Sequence, residues 1–181
     1  ARYARAIAYY RIPELNKALA EINGLIHDYP NNPYFWELKG QMLFENGDVA
    51  EAVAPYKRAV ALNDAPLMRV ELAQVELETG DPKLLLDARA QLSDAVVFEH
   101  DNPDAWHFLA IAYGRGNNIG MAALCLAEEG MANGDYNYAS QQAIRARQLL
   151  PVGAQRQRAE DLLNEAKRLK NQSGGSGVIG G

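Results

Sequence analysis

The chain has 181 residues, 48% of them hydrophobic, which is enough for a domain with a real core and excludes a wholly disordered chain. A formal net charge of −5 gives no overall field to attract nucleic acid or an anionic membrane, so neither is expected as a partner. No apolar run approaches the ~20 residues that cross a bilayer and no signal-peptide pattern occurs, so direct membrane insertion is not expected either.

The chain opens at Ala1 within a helical pattern, Arg2 to Tyr10, and the expectation is a piece of something longer. From there punctuation recurs. Asn32-Pro33, Gly47-Asp48, Gly80-Asp81, Asn102-Pro103, Gly134-Asp135 and Pro151 separate segments of about 12 to 17 residues, Gly closing one helix and Asp capping the next. Within them apolar residues recur at intervals of three and four, as in Val49, Val53, Tyr56 and Val60. Strict alternation is missing, so no sheet is expected.

The segments also resemble one another. Ala18, Ile22 and Leu25 return as Ala52, Tyr56 and Ala59, then as Ala88, Leu92 and Ala95, and then as Ala122 and Leu126. The first interval is about 34 residues, the length of a two-helix tetratricopeptide (TPR) unit. The next is slightly longer, and a longer connection around Pro82 to Leu86 is expected to absorb the excess. The first helix of each unit carries Trp36, Gly40, Leu43 and Gly47, then Leu72, Ala73 and Gly80, then Trp106, Leu109, Ala110 and Tyr113, resembling the TPR pattern W-x2-L-G-x2-Y. Lys39 and Glu76 depart from it. A Gly or Ala there lets the second helix approach, its own Ala filling the space beneath a Trp or Tyr.

Ala139, Ala143, Ala146 and Pro151 match a second helix only half a period after Ala122, so the helix from about Asn118 to Ala132 is expected to serve two pairs. The last helix, Gln155 to Lys170, exposes Arg156, Arg158, Lys167, Arg168 and Lys170 and reads as a cap. The expected fold is all-α: a TPR-like right-handed α-solenoid of about ten antiparallel helices with a C-terminal capping helix. It occupies 1–170, and a flexible Gly/Ser-rich tail, linker or cloning scar, occupies 171–181.

The stretch Asn32 to Gly47 (NPYFWELKGQMLFENG), with Leu109 to Arg115 and Met121 to Leu124, resembles the C-terminal repeat region of bacterial periplasmic zinc metallopeptidases of the CAAX-protease-like class. The resemblance covers about Tyr3 to Lys170. It implies a separate catalytic domain with a helical His-Glu-x-x-His zinc site, which this chain lacks. On that basis the chain is a non-catalytic part of a periplasmic protease, with no cofactor of its own, and the upstream protease domain is one possible partner.

His27, His100 and His107 do not have the spacing of helical metal ligands, and His27 at a helix end reads as a dipole interaction. Cys125 stands alone in an apolar run and reads as buried packing, which leaves the compartment open. Gly114 to Gly120 follows a helix, so an interhelical turn is expected rather than a phosphate cradle. Glu76-Leu77-Glu78 and Glu99-His100-Asp101 read as solvated helix faces, the terminal basic helix as solubility, and Asn171-Gln172-Ser173 as a chance sequon.

What remains is the concave face that first helices line in TPR proteins. Here it would present Tyr3, Ile7, Tyr10, Arg11, Tyr34, Glu37, Gln41, Phe44, Glu45, Gln74, His107 and Arg115, with Val70, Leu77, Glu78 and Ile111 beside them. Aromatics amid Gln and Glu suit a protein or peptide partner, or the packing of a neighbouring domain. The Lys, Asn and Arg that clamp chaperone tails are replaced by Glu37, Gln41, Val70 and Gln74, which argues against that ligand.

Overall fold

The structure, a computed structural model, describes residues 1–175. Among the described residues all regular structure is helical: α1 (Arg2–Arg11), α2 (Leu15–Asp28), α3 (Pro33–Glu45), α4 (Val49–Leu62), α5 (Pro66–Glu78), α6 (Pro82–Phe98), α7 (Pro103–Arg115), α8 (Ile119–Ala132), α9 (Tyr136–Leu149) and α10 (Ala154–Gly175). Helix α10 thus runs past Lys170, and residues 176–181 of the expected tail lie outside the described residues.

Local chemistry explains most of the boundaries. Gly47, Gly80 and Gly134 hold left-handed φ angles of 92°, 71° and 71°, which other residues adopt only with strain. Asn32, Asn102 and Asn118 cap with their side chains, two of them directly before a proline at the first helical position. Asp81 and Asp135 cap as expected. Asp48 does not, because its carboxylate instead accepts from the Asn46 amide at 2.9 Å. Asn102 Oδ1 takes the backbone N–H groups of Asp104 and Ala105 at 3.0 and 3.3 Å. Asn102→Ala should cost about 1 kcal/mol, read as a lowered urea midpoint at constant slope.

The longer repeat is built differently from expectation. The connection before α6, residues 79–81, is as short as the one before α4, residues 46–48. The excess lies in α6 itself, which has 17 residues against 14 in α4, so Pro82 to Leu86 form its first turns rather than a loop. Proline at the start of a helix costs no hydrogen bond, which permits this extension.

The chain divides into two compact units, Ala1–Gln91 and one from Leu92 onward, the division falling inside α6. In the first unit α1 packs on α2 and α3 on α4, with α2 against α3 and α4 against α5. Ala6, Ala18, Ile22, Leu25, Ile26 and Met42 make one core cluster, and Leu43, Ala52, Tyr56, Leu72 and Val75 another. The recurring small residues Ala18, Ala52, Ala59, Ala88 and Ala95 are all fully buried, as close helix packing requires.

In the second unit α8 packs on α7, α9 and α10, so one helix does serve two pairs. Its Gly130 lies against the start of α9, where an added Cβ would sit 2.8 Å from the Ala139 nitrogen. Ala123, Leu124, Ala127, Ala143, Ala146, Leu150, Ala159, Leu162 and Leu163 close the core among α8, α9 and α10. Arg158 on α10 donates twice to the Glu128 carboxylate of α8, at 2.7 and 2.8 Å.

The reading of Glu76-Leu77-Glu78 as a solvated face is corrected. Glu76 is 0% exposed and Leu77 is buried, while Glu78 alone faces solvent. Glu76 is tolerated because Lys57 Nζ of α4 reaches to 3.1 Å of its Oε1 and also to 3.1 Å of Asp87 on α6. The contact is ionic, neither Glu76 oxygen being in a well-aligned hydrogen bond, and burial raises the carboxyl above its usual pKa. Lys57→Met leaves this carboxylate without a cation and should cost about 1–2 kcal/mol. Adding Glu76→Leu should restore the urea midpoint.

Candidate functional site

Glu37, Gln41 and Glu45 fall at intervals of four on α3 and therefore form one stripe. The stripe is held in place at its C-terminal end. Gln41 Nε2 donates to Glu45 Oε1 at 2.8 Å, and the Tyr10 hydroxyl of α1 donates to Glu45 Oε2. Burial, then the hydrogen bond to Glu45 and its charge, push the Tyr10 phenol above its usual pKa. Tyr10, Arg11 and Glu45, with Pro13, Leu15 and Asn46, line a cavity of about 380 Å³ at this end.

Behind the stripe lies Tyr56 of α4, 4% exposed. It can lie there because Gly40 has no side chain: a Cβ at Gly40 would stand 2.5 Å from Tyr56 Cδ2. Burial raises the Tyr56 phenol above its usual pKa, and the negative charges of Glu71, Glu37 and Glu45, together with Tyr10, add to the rise. Glu71 on α5 is the least comfortable of them. Its Oε2 is shut off from solvent without a hydrogen-bond partner. Burial, and secondarily the charge of Glu37, push its carboxyl from 4.5 to about 7. Glu37 is likewise raised by burial. Gln74 stands half-buried one turn beyond Glu71.

The remaining expected groove residues are distributed around this centre. Tyr3 and Tyr29 flank Phe35, each with a ring-centroid separation of 6.3 Å, and Ile7 is half-buried on α1. Tyr34 is 61% exposed and lines a hollow of about 480 Å³ with residues 29–33. Phe44 is half-buried against the Leu43, Ala52 and Tyr56 core. Val70 and Leu77, expected beside the groove, are buried and present nothing to a ligand. Apolar side chains at those places pack inward, while Glu78 of the same helix stays outside.

His107, Ile111 and Arg115 belong to the second unit. There His107 Nδ1 lies 3.2 Å from the Glu129 carboxylate of α8, Ile111 is half-buried and Arg115 is exposed. Cys125 is buried in the same unit and burial pushes its thiol up to about 12, so it stays protonated. Gly114 to Gly120 spans the end of α7 and the turn into α8, with Asn117 at φ 57°. His100 and His27 are exposed, each beside an aspartate at 3.3 Å. Among the described residues no cluster of three His, Cys, Asp or Glu is placed to hold a metal, and no helix is long and apolar enough to cross a membrane.

Sequence reasoning missed Tyr56 and Glu71 as parts of the face. Glu71 is the sixth residue of α5, the place that apolar Leu38 takes in α3, so a carboxylate at an apolar repeat position was the available signal. It also missed the tryptophan anchors. Trp36 Nε1 donates to the Pro30 carbonyl at 2.9 Å and Trp106 Nε1 to the His100 carbonyl at 2.8 Å, the same bond twice. The shared Asn-Pro-x-x-Trp spacing carried that information.

The fold is shared with known structures. The crystal structure of MamA protein superimposes with a TM-score of 0.70 at 13% identity, over 99% of this chain and 96% of that one. The fold is TPR-like. YrrB, a TPR protein with an unusual peptide-binding site, matches with a TM-score of 0.64 at 15% identity, over 94% of this chain and 85% of that one. PilW, a widely conserved type IV pilus biogenesis factor, matches with a TM-score of 0.57 at 14% identity, over 94% and 90%. No family model matches the chain. At these identities the likeness speaks to the fold class, an all-α repeat of TPR type, and to nothing finer.

Proposed function

We propose that the chain is a protein-binding module that holds a polypeptide partner against the α1, α3 and α5 face of its first unit. The observation that supports this most is the stripe of Glu37, Gln41 and Glu45, pinned by Tyr10 and backed by the buried Tyr56 ring. Polar groups held in register beside exposed aromatics recognise extended or helical segments. The TPR-like neighbour YrrB, with its unusual peptide-binding site, offers a precedent on the same fold.

The residues from Asn32 to Gly47 support a finer version, in which the module belongs to a bacterial periplasmic zinc metallopeptidase concerned with envelope protein quality control. It would dock substrates or partners beside a catalytic domain that holds the zinc. The likeness to PilW over 90% of that chain favours a second version, a stand-alone TPR scaffold or assembly factor. Reading the gene upstream separates the two. A frame without His-Glu-x-x-His would overturn the protease link and leave the module intact.

The binding face is tested by affinity capture with the wild type and a Tyr10→Ala/Gln41→Ala variant of unchanged helicity. At least a fivefold loss of recovered partner is expected, on the order of 1 kcal/mol. Equal recovery would overturn the assignment of this face.

A further inference from the structure

We propose that the second unit holds a binding site of its own, separate from the face of the first unit, in which a small uncharged aromatic molecule sits between α7, α8 and the start of α10. The site is a cavity of about 370 Å³. That lies at the lower end of the ~300–1,000 Å³ range of small-molecule pockets and leaves room for one or two fused rings. Its wall is mostly apolar. Trp106 and Tyr113 come from α7, and Met121, Leu124 and Cys125 from α8. Aromatic rings and a methionine thioether are the groups against which a further aromatic ring packs best, by offset stacking and by sulfur–ring contact. Cys125 adds a thiol that burial keeps protonated, so its surface is neutral and polarizable.

Two observations fix the class of occupant. The charged side chains in the wall are Glu128 and Arg158, and they are spent on each other: Arg158 donates twice to the Glu128 carboxylate, at 2.7 and 2.8 Å, and the Glu128 side chain is only 12% exposed. A charged ligand would have to displace one partner of this nearly buried pair, whereas a neutral one leaves it intact. Ser93 and Gln155 also line the cavity and offer a hydroxyl and an amide to one polar group on the ligand. The second observation comes from the repeat. Trp106 and Leu109 occupy in α7 the places that Trp36 and Lys39 take in α3, both tryptophans following Asn-Pro at the same spacing. In α3 the ring is covered from within the chain, Lys39 Nζ standing 5.9 Å from the Trp36 centroid. In α7 Leu109 is buried and Trp106 borders the cavity instead. The ring that the first unit covers with its own cation is thus turned, in the second, towards a space that an outside group fills.

The test titrates the full chain by calorimetry with 2-naphthol, two rings and one hydroxyl, and with 2-naphthoate, the same rings bearing a negative charge. 2-Naphthol is expected to bind at one site with a Kd on the order of 100 µM, and 2-naphthoate roughly tenfold more weakly or worse. In nitrogen-15 NMR spectra the indole N–H signal of Trp106 should move on binding while that of Trp36 stays in place. Ser93→Phe and Ala154→Phe, which fill the cavity from α6 and from α10, should each abolish binding. Phe98→Ser, which removes an apolar side chain 73% exposed elsewhere on α6, should leave it unchanged. Circular dichroism melting keeps these comparisons to folded protein, and the NMR shift decides the matter even where a filling variant does not fold. Several outcomes overturn the inference: no binding of 2-naphthol up to about 1 mM, equal affinity for the two compounds, a shift at Trp36 rather than Trp106, or binding retained in a folded filling variant. An equal loss in Phe98→Ser would reduce the binding to adsorption on exposed apolar surface and overturn it as well.

Discussion

Gly40→Val lowers the unfolding free energy by roughly 3 kcal/mol, the largest single-site loss expected in the first unit. The Tyr56 ring lies where the new side chain would go, its Cδ2, Cε2 and Cγ within 2.5, 2.7 and 3.0 Å of the first added carbon. That ring is buried with Leu43, Ala52, Leu72 and Val75, so it cannot swing away without opening the core. Either α3 and α4 separate or Tyr56 leaves its rotamer, and both disturb the core between α3 and α4. Urea titration of the variant checks this, and Tyr56→Leu in the same chain should recover part of the loss. A variant as stable as the wild type would show that the close approach is not needed.

Glu71→Gln makes the protein more stable at neutral pH and flattens its pH dependence. The Glu71 carboxyl is raised from 4.5 to about 7 by burial and then by Glu37. Between those values the folded chain holds a proton that the unfolded chain has released, so stability falls as pH rises from 4.5 to 7 and levels off above. The loss over that window is on the order of 1–3 kcal/mol, reduced from the full linkage value because Glu71 is only half-buried. Thermal melts of wild type and variant should therefore coincide near pH 4.5 and diverge towards pH 7, the variant melting higher. Residual slope in the variant comes from Glu37 and Glu76, which burial raises in the same direction. Asp28 and Asp64 act oppositely, with His27 and Arg69 holding them below their usual range, and that stability disappears only as pH falls through their folded values. Parallel melting curves across pH 4.5–7 would refute the account.

How much of this was legible in the chain depends on whether the cause is local. Asn32-Pro33, Asn102-Pro103 and the left-handed glycines place helix ends by short-range hydrogen bonding and backbone sterics, and they were read correctly. The double use of α8 followed from the half-period return at Ala139, which Gly130 makes physically possible. By contrast Pro82 to Leu86 looked like part of a longer connection, because proline is compatible with a turn and with the first position of a helix alike. Glu76 looked solvated because nothing adjacent in sequence reveals that Lys57 comes from another helix to meet it.

The face shows the same division. Glu37, Gln41 and Glu45 share a stripe by helical spacing alone, so their alignment could be read from α3. Their connection to Tyr10, the seat of Tyr56 behind Gly40 and the uncompensated Glu71 depend on three further helices and appear only once those are packed. By itself the sequence determined an all-α repeat, its punctuation, its small-residue seams and its polar stripe, since each follows from contacts within a few residues or from a strict period. The tertiary structure decided which carboxylates find a cation and which do not, because ion pairing and burial are set by residues distant in the chain.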